Sequence, residues 1–398
     1  MGCKTTAFPY VIALLRIETE NTMPQFVRND IMSLVGEAPE HDLAESLGPD
    51  LLLGELLGGD SGWQETRLGY GTPAGAPALR SVIADLHGVD EGDVVVTIGG
   101  MHALFLLGYI LCGNGEQAVI TTPAFPPARD VLVSVGARLR TLPLGFDDRY
   151  RLDPKELAGL LSPATRLVSL ASPHNPSGVA TPRATLAELL SAMSTHCPEA
   201  FLLVDETYRC AVYGDDPIAP SAATMSPRVV VTGSLSKCHG APGVRVGWAI
   251  TRDAQLREQL VLGKFGSVIA NSAVDEMLAQ RVLQRADEII GARRLRLGAG
   301  LARTAAWAER HAALVEWVRP DAGALCCIRL RPDVFDAGGV ARFHAELARR
   351  HARVGDGSWF GDQARVFRLG FGLPEPDRLD VALDVLTDAL HRARLTAA

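Results

Sequence analysis

The sequence contains no long run of lysines or arginines and no long run of apolar residues. Its basic residues are scattered through a chain of net charge -7, so a nucleic acid would find no basic face, and a small molecule is the expected partner. The apolar stretch VIALL near the N-terminus is too short for a signal sequence or a membrane span. We therefore expect a cytoplasmic protein that binds neither nucleic acid nor membrane.

Cysteine patterns typical of metal sites and disulfide frameworks are missing as well. The seven cysteines are an odd number, and no two of them have the C-x-x-C spacing of a metal or redox site. Buried, reduced thiols in a cytosolic protein are the simplest interpretation. Internal repeats, low-complexity tracts and long linkers are also absent, so a globular protein is expected.

The chain length favours two domains, because 398 residues exceed what a single core usually organises. Between about 75 and 250, apolar runs such as DVVVTI, TRLVSLA and FLLVDE alternate with helical patterns such as MHALFLLGYIL. That alternation is typical of a mostly parallel sheet with helices on both faces. We predict a large α/β domain over 50–265 and a smaller, discontinuous α+β domain over 1–49 and 266–398.

Polar residues come directly after several of the predicted strands, at the edge where open parallel sheets bind their ligands. The backbone N–H groups of Gly100 and Met101 would begin a helix and face an anion, although a glycine pair often marks only a turn. Ser234, Ser236 and Arg245 would donate hydrogen bonds to the same anion. Together these groups predict a phosphate pocket.

Lys237 lies beside this predicted pocket. It is the only lysine between Lys155 and Lys264, and it comes after the apolar run at 229–231. Burial among small residues and the nearby charge of Arg245 would lower its pKa and make the amine nucleophilic, as Schiff-base chemistry requires. The alternative is a lysine whose stem is buried while its amine reaches solvent.

Four further side chains would surround an aromatic ring bound next to that lysine. Asp205 would pair with a protonated ring nitrogen, or else it caps a helix. Asn175 and Tyr208 would hydrogen-bond a phenolic oxygen of the ring, unless they serve only in turns. Phe125 would stack on the ring face, and a place in the core is the equal alternative.

One arginine stands in the apolar run VFRLGFG near the C-terminus. Strand alternation puts Phe367, Leu369 and Phe371 on one face and Arg368 on the other. An arginine in such surroundings needs a carboxylate, which either a substrate or a structural ion pair would provide.

These motifs resemble those of the class I and II aminotransferases, which are pyridoxal-phosphate enzymes of fold type I. The resemblance includes G-x-x-x-A-L, N-P-S-G, D-E-T-Y, S-L-S-K-x-x-x-x-P-G-x-R-x-G-W and a late F-R-L, and it extends from GYGTPAGAPALR at 69–80 to Arg368. The lysine motif is the most specific of them. The resemblance implies pyridoxal 5'-phosphate as cofactor, held by a mostly parallel sheet in the larger of two domains.

The resemblance also implies a role for each residue around the ring. Lys237 would bind the cofactor as an internal aldimine and carry the substrate's Cα proton. Asp205 would keep the ring nitrogen protonated. Asn175 and Tyr208 would bind the ring oxygen, and Phe125 would stack on the ring.

The same resemblance implies the phosphate and substrate contacts. The phosphate would be held by the five groups of the predicted pocket and by Tyr70 from the neighbouring subunit of a homodimer. Arg368 would bind the α-carboxylate of the substrate, with Asn175 and Gly36 beside it.

Transamination by a ping-pong mechanism is the predicted reaction, in which an L-amino acid becomes a 2-oxo acid and a second 2-oxo acid takes up the amino group. Because a fold does not fix a reaction, a lyase, cyclase or oxidase is the first alternative. A non-catalytic sensor domain is the second, and Lys237 together with the lack of a basic helix before GYGTPAG disfavours it.

The segment VGEAPEHD, which borders the site in the family, offers one clue to the substrate side chain. It carries Glu37, Glu40 and Asp42, which would suit a cationic or guanidino group. Solvated loop carboxylates are the main alternative. Our hypothesis is therefore that the substrate is a basic amino acid of primary or specialised metabolism.

Overall fold

The structure, a computed structural model, describes residues 26–35, 37–59 and 61–394. The strands in these ranges are β1 His41–Leu43, β2 Val94–Ile98, β3 Gln117–Thr122, β4 Arg138–Pro143, β5 Thr165–Ala171, β6 Phe201–Asp205, β7 Val229–Ser234, β8 Val246–Thr251, β9 Val315–Val318, β10 Leu325–Leu330, β11 Ala352–Asp356 and β12 Val366–Gly370. The α-helices are α1 Leu53–Leu57, α2 Pro77–His87, α3 Gly99–Cys112, α4 Pro126–Ser134, α5 Pro154–Ala158, α6 Arg183–His196, α7 Ala254–Val268, α8 Ala273–Gln284, α9 Ala286–Arg310, α10 Ala337–Arg349, α11 Gly357–Phe360 and α12 Pro376–Arg394.

Seven strands form one large sheet in the order β2-β8-β7-β6-β5-β3-β4. β8 runs antiparallel to its neighbours β2 and β7, and the other six strands share one direction. The carboxyl ends of those six strands therefore lie at a common edge. This arrangement confirms the predicted α/β fold with a mostly parallel sheet.

Both faces of this sheet are covered. Val94 and Val96 of β2 belong to one buried apolar cluster, whereas Val95 belongs to another on the opposite face. Leu202 and Leu203 of β6 divide between the same two clusters. Because neighbouring residues of a strand point to opposite faces, near-continuous apolar strands are what a sheet covered on both sides requires.

A second sheet of five strands has the order β1-β11-β12-β10-β9 and packs with α9, α10 and α12 around its own apolar cluster. Phe367, Leu369 and Phe371 lie in that cluster, as strand alternation predicts. The proposed domain bounds stay a prediction. The bound at 265 falls inside α7.

Several elements differ from the sequence-based expectation. The strands β1 and β11 pair in parallel although β1 has only three residues, which is too short for a recognisable pattern. The helical chain from Ala273 to Arg310 is divided into α8 and α9, because Arg285 leaves helical geometry with φ -103 and ψ 19. Its guanidinium donates to the carbonyl oxygens of Glu55 and Leu56.

None of the described helices combines the length and the apolar character that a membrane-spanning helix needs.

Candidate active site

The carboxyl ends of β6 and β7 open into a cavity of about 450 Å³, which we call the main cavity. Its lining includes Gly100, Met101, Phe125, Asn175, Asp205, Tyr208, Ser234, Ser236, Lys237, Arg245 and Arg368. Tyr70 is not among the lining residues and is 87% exposed. Gly36 lies outside the described residues. The fold therefore gathers the predicted cofactor and substrate residues of one chain in one place, apart from these two.

Lys237 lies just after β7 and lines the main cavity. Burial lowers the pKa of Lys237 to about 8, the carboxylate of Glu45 opposes that shift, and the charge of Arg368 adds to it. The prediction that the charge of Arg245 lowers the pKa of Lys237 is wrong, because the arginine whose charge acts on this amine is Arg368. The desolvated amine is thus a better nucleophile and base near neutral pH than a lysine amine that reaches solvent.

Asp205 is the last residue of β6 and is partly exposed to the main cavity. Its Oδ1 accepts hydrogen bonds from the backbone N–H and the hydroxyl of Thr207, at 3.0 and 2.6 Å. No α-helix begins there, so the helix-capping alternative is wrong. Burial raises the pKa of Asp205, and the two bonds from Thr207 oppose that rise by stabilising the carboxylate.

Arg368 lies in β12 and is only 2% exposed. Its Nη1 donates to Asn175 Oδ1 at 2.9 Å and its Nη2 donates to the Ala44 carbonyl at 2.6 Å, while the guanidinium stacks over the Phe360 ring. Its Nε is buried and has no partner among the described residues. No described carboxylate forms an ion pair with it, so the structural ion-pair alternative is wrong. A buried, partly unsatisfied guanidinium suits the carboxylate of a ligand.

Tyr208 and Phe125 also border the main cavity. The Tyr208 hydroxyl donates to Ser46 Oγ at 2.8 Å, and burial raises the pKa of Tyr208 to about 12, so the hydroxyl remains protonated. Phe125 precedes α4, is partly exposed and belongs to none of the three buried apolar clusters. Its ring is therefore available to a ligand, and the core alternative is wrong.

The first turn of α3 begins at Gly99 and includes Gly100 and Met101. The N–H groups of a first turn have no partner within the helix and carry positive partial charge. Gly99 has a φ of +66°, and its Cα lies against the Arg245 guanidinium so closely that a Cβ would overlap Nη2. Helix end and guanidinium thus face the same small volume.

Two serines complete this anion-binding group. Ser234 Oγ accepts from the backbone N–H of Ser236 at 3.2 Å, and Ser234 Cβ lies within 3.7 Å of where a Cβ on Gly100 would stand. Donors converge here from a helix end, two hydroxyl groups and an arginine. The residues present therefore fit a phosphate group at this end and an aromatic ring between Asp205 and Phe125.

The carboxylates of the N-terminal segment do not reach the main cavity. Glu37 and Glu40 line a separate surface groove with Trp359. Asp42 is buried and forms an ion pair with Arg353 at 2.6 Å. The prediction that these three carboxylates receive the substrate is therefore wrong.

Residues on either side of the segment VGEAPEHD do line the main cavity, and the sequence analysis did not identify them. Glu45 and Ser46 lie just after β1. The short 3-10 helix Asp30–Leu34 contributes Ile31, Met32 and Leu34. Apolar residues followed by a Glu-Ser pair are a weak signal of a binding site, because nothing in the local sequence shows that they lie beside the edge of the large sheet.

Residues 57–386 match the family described as aminotransferase class I and II. Arginine–pyruvate transaminase AruH of Pseudomonas aeruginosa is 32% identical over 202 residues, which is 49% of either chain. Capreomycidine synthase of Streptomyces vinaceus is 30% identical over 334 residues, which is 80% of either chain. The match thus spans about half the length of the first relative and most of the second.

Solved structures agree with the sequence relatives. A PLP-dependent aminotransferase from Streptococcus suis superposes with a TM-score of 0.81 at 25% identity, covering 89% of this chain and 94% of the other. The PLP-dependent cyclase OrfR superposes with a TM-score of 0.80 at 26% identity, covering 93% and 99%. This chain belongs to the class I and II aminotransferase family. The predicted family, fold type I and pyridoxal-phosphate cofactor are confirmed, and so is the prediction of an enzyme rather than a sensor.

Proposed function

We propose that this class I and II aminotransferase exchanges the α-amino group between an L-amino acid with a cationic side chain and a 2-oxo acid. The observation that carries the proposal is the desolvated amine of Lys237 in the same cavity as Arg368 and the anion-binding end of α3. These three features supply a base, a carboxylate-binding group and a phosphate site. A cytoplasmic location is proposed because the six described cysteines are free thiols.

Binding and orientation of the donor rest on Arg368. A substrate α-carboxylate would satisfy the buried Nε of Arg368 and compensate a charge that has no described ion-pair partner. Asn175 already accepts from the same guanidinium, so it fixes the orientation of the side chain. A fixed guanidinium holds the bond between Cα and its hydrogen in one direction relative to Lys237, which is an entropic advantage.

Proton transfer rests on Lys237. When bound, pyridoxal phosphate acts as an electron sink for the bond that breaks at Cα. Lys237 Nζ, neutral above a pH of about 8, takes the proton from the substrate's Cα. Asp205 supplies the negative charge that favours a protonated ring nitrogen. The Tyr208 hydroxyl, which remains protonated, would donate to the ring oxygen while accepting from the Ser46 hydroxyl.

The cationic side chain is proposed from the relatives. Arginine–pyruvate transaminase and capreomycidine synthase are similar to this chain over half and four fifths of their lengths. The name of the first states a guanidino amino acid as donor. A carboxylate in the main cavity, that of Glu45, is consistent with the same substrate class.

A half-reaction tests the proposed function. Holoenzyme without a 2-oxo acid acceptor is mixed separately with arginine, lysine, aspartate and phenylalanine. We expect arginine or lysine to bleach the visible band of the lysine-bound cofactor and to release a 2-oxo acid at least about 10-fold faster than the other two donors. Equal or faster conversion of aspartate and phenylalanine would contradict the proposed preference for cationic side chains. If no donor yields a 2-oxo acid, transamination itself would be contradicted.

Cyclisation is the second candidate, because capreomycidine synthase and the cyclase OrfR match most of this chain. A cyclase returns its cofactor to the starting state without an amino acceptor. Mass spectrometry of the same half-reaction distinguishes the two: transamination consumes at most one donor per active site without added 2-oxo acid, whereas cyclisation continues through many turnovers.

A homodimer is proposed from the exposed apolar residues. Leu68 and Tyr70 are 84% and 87% exposed, and Leu262 and Phe265 on α7 are more than half exposed. Large apolar side chains left exposed in one chain would be covered at a subunit interface. In the proposed dimer, the Tyr70 hydroxyl donates a hydrogen bond to the phosphate in the partner's site.

Replacing Tyr70 with phenylalanine should therefore weaken cofactor binding. Loss of one hydroxyl hydrogen bond to a charged phosphate should raise the cofactor dissociation constant about 10-fold, measured by absorbance titration of apoenzyme. Tyr109→Phe is the control, since Tyr109 is 64% exposed on α3 and does not line the main cavity. An unchanged constant for Tyr70→Phe, in protein that sediments as a dimer, would contradict the cross-subunit role.

A further inference from the structure

We propose that Glu45 is the specificity-determining residue that binds the cationic end of the donor side chain. The inference rests on the proposed function and adds the residue that selects the substrate class. Glu45 follows Ala44 at the end of β1, the edge strand of the second sheet, and lines the main cavity with Ser46.

The backbone around Glu45 is fixed by the active site itself. Arg368 Nη2 donates to the carbonyl of Ala44 at 2.6 Å, and the Tyr208 hydroxyl donates to Ser46 Oγ at 2.8 Å. The Glu45 carbonyl also packs so tightly on Gly370 that a Cβ there would overlap it. Three contacts within three residues hold this loop, so the place from which the Glu45 side chain extends is defined before a substrate arrives.

Glu45 lines the cavity and is only partly buried. Among the described residues, no hydrogen bond or ion pair engages its carboxylate. Burial lowers the pKa of both Lys237 and Arg368, and the charge of Glu45 opposes that lowering in each. The carboxylate therefore lies near the amine and the guanidinium without being neutralised by direct contact with either.

A comparison of the charges in the main cavity leaves Glu45 with one kind of partner. The described lining has three cations, Lys237, Arg245 and Arg368, and two carboxylates, Asp205 and Glu45. The donor carboxylate would account for Arg368, the cofactor phosphate for Arg245 and the ring nitrogen for Asp205, and Lys237 would be taken up by its bond to the cofactor. The remaining carboxylate would attract a guanidinium or ammonium group and would disfavour an acidic side chain.

The apolar part of the lining suits the rest of such a side chain. Ile31, Met32 and Leu34 of the short helix Asp30–Leu34 border the cavity together with Leu104. An arginine or lysine side chain has an aliphatic stem and a charged end. Apolar walls for the stem and one unpaired carboxylate for the end match both parts.

The test compares arginine with citrulline, its uncharged urea counterpart, on holoenzyme of wild type and E45Q. We expect E45Q to lower kcat/KM for arginine by about 10- to 100-fold, which corresponds to loss of one charge-assisted contact, and to change citrulline by less than about 3-fold. E40Q is the matched control, because Glu40 lies in a different groove, and it should leave both substrates unchanged.

Two results would overturn the proposal. An equal loss for arginine and citrulline, with both pH profiles shifted downward, would mean that Glu45 acts as a counter-ion of Lys237. If E45Q keeps the wild-type ratio of kcat/KM for arginine over citrulline, the Glu45 carboxylate does not bind the charged end of the side chain. Calorimetric titration of the holoenzyme with both compounds, without added 2-oxo acid, reports the preference with at most one donor consumed per active site, so a failure of the proposed transamination would remain distinguishable from a failure of Glu45.

Discussion

Lys237→Ala should lower kcat for transamination by about 10⁴-fold, the upper end of the range for a positioned acid or base. The substitution removes both the proposed anchor of the cofactor and the proposed carrier of the Cα proton. Steady-state turnover of arginine with a 2-oxo acid acceptor measures the loss. Added methylamine should restore part of the rate by replacing the missing amine, which a purely structural role would not allow.

The chain offers a matched control in Lys264. This lysine is 0% exposed, and burial lowers its pKa to about 8, as for Lys237, but it lies on α7 and does not line the main cavity. Lys264→Met should therefore keep kcat within about 3-fold of wild type where the protein is folded. Full activity in Lys237→Ala would contradict the assignment. So would a 10⁴-fold loss in folded Lys264→Met, because a position in the main cavity would then not distinguish the two amines.

Asp205→Asn should lower kcat by about 10³-fold, because removing one partner of a buried charge pair costs about 3–5 kcal/mol. The asparagine oxygen can still accept both hydrogen bonds from Thr207, so the turn after β6 is preserved. Only the charge offered to the ring nitrogen is lost. Steady-state kinetics at saturating substrate and cofactor measure the effect.

Asp205→Ala provides the comparison for that prediction. It removes the charge and the turn acceptor together, so its kcat should fall at least as far as that of Asp205→Asn, and its melting temperature should fall further. If Asp205 serves only the turn, Asp205→Asn should keep activity within about 10-fold of wild type while Asp205→Ala loses it. That pattern would contradict the proposed role at the ring nitrogen.

Much of the fold was predictable because its signals are local. Apolar runs such as FLLVD are continuous over the length of one strand, and the residues after each run lie at the same sheet edge once the strands are parallel. Asp205 and Lys237 could therefore be placed together without knowledge of contacts. The three-residue strand β1 had no such signal, because its pairing with β11 depends on a partner about 310 residues away.

The substrate end of the site was less predictable for the same reason. Asp42 looked available in the sequence, but Arg353, which is 311 residues away, engages it. Glu45 looked like an ordinary loop carboxylate, yet its loop is fixed by Arg368, which bonds the carbonyl of Ala44 across 324 residues. Which carboxylate is paired and which is left for a ligand depends on chain closure, and a sequence pattern does not record it.

Reductive labelling tests the central claim most directly. Holoenzyme is treated with borohydride, digested and mapped by mass spectrometry, and the chain has only four lysines to distinguish: Lys4, Lys155, Lys237 and Lys264. We expect one phosphopyridoxyl group per chain, on Lys237, and none on Lys264. A label on Lys264, or an unlabelled Lys237 in cofactor-saturated protein, would contradict it.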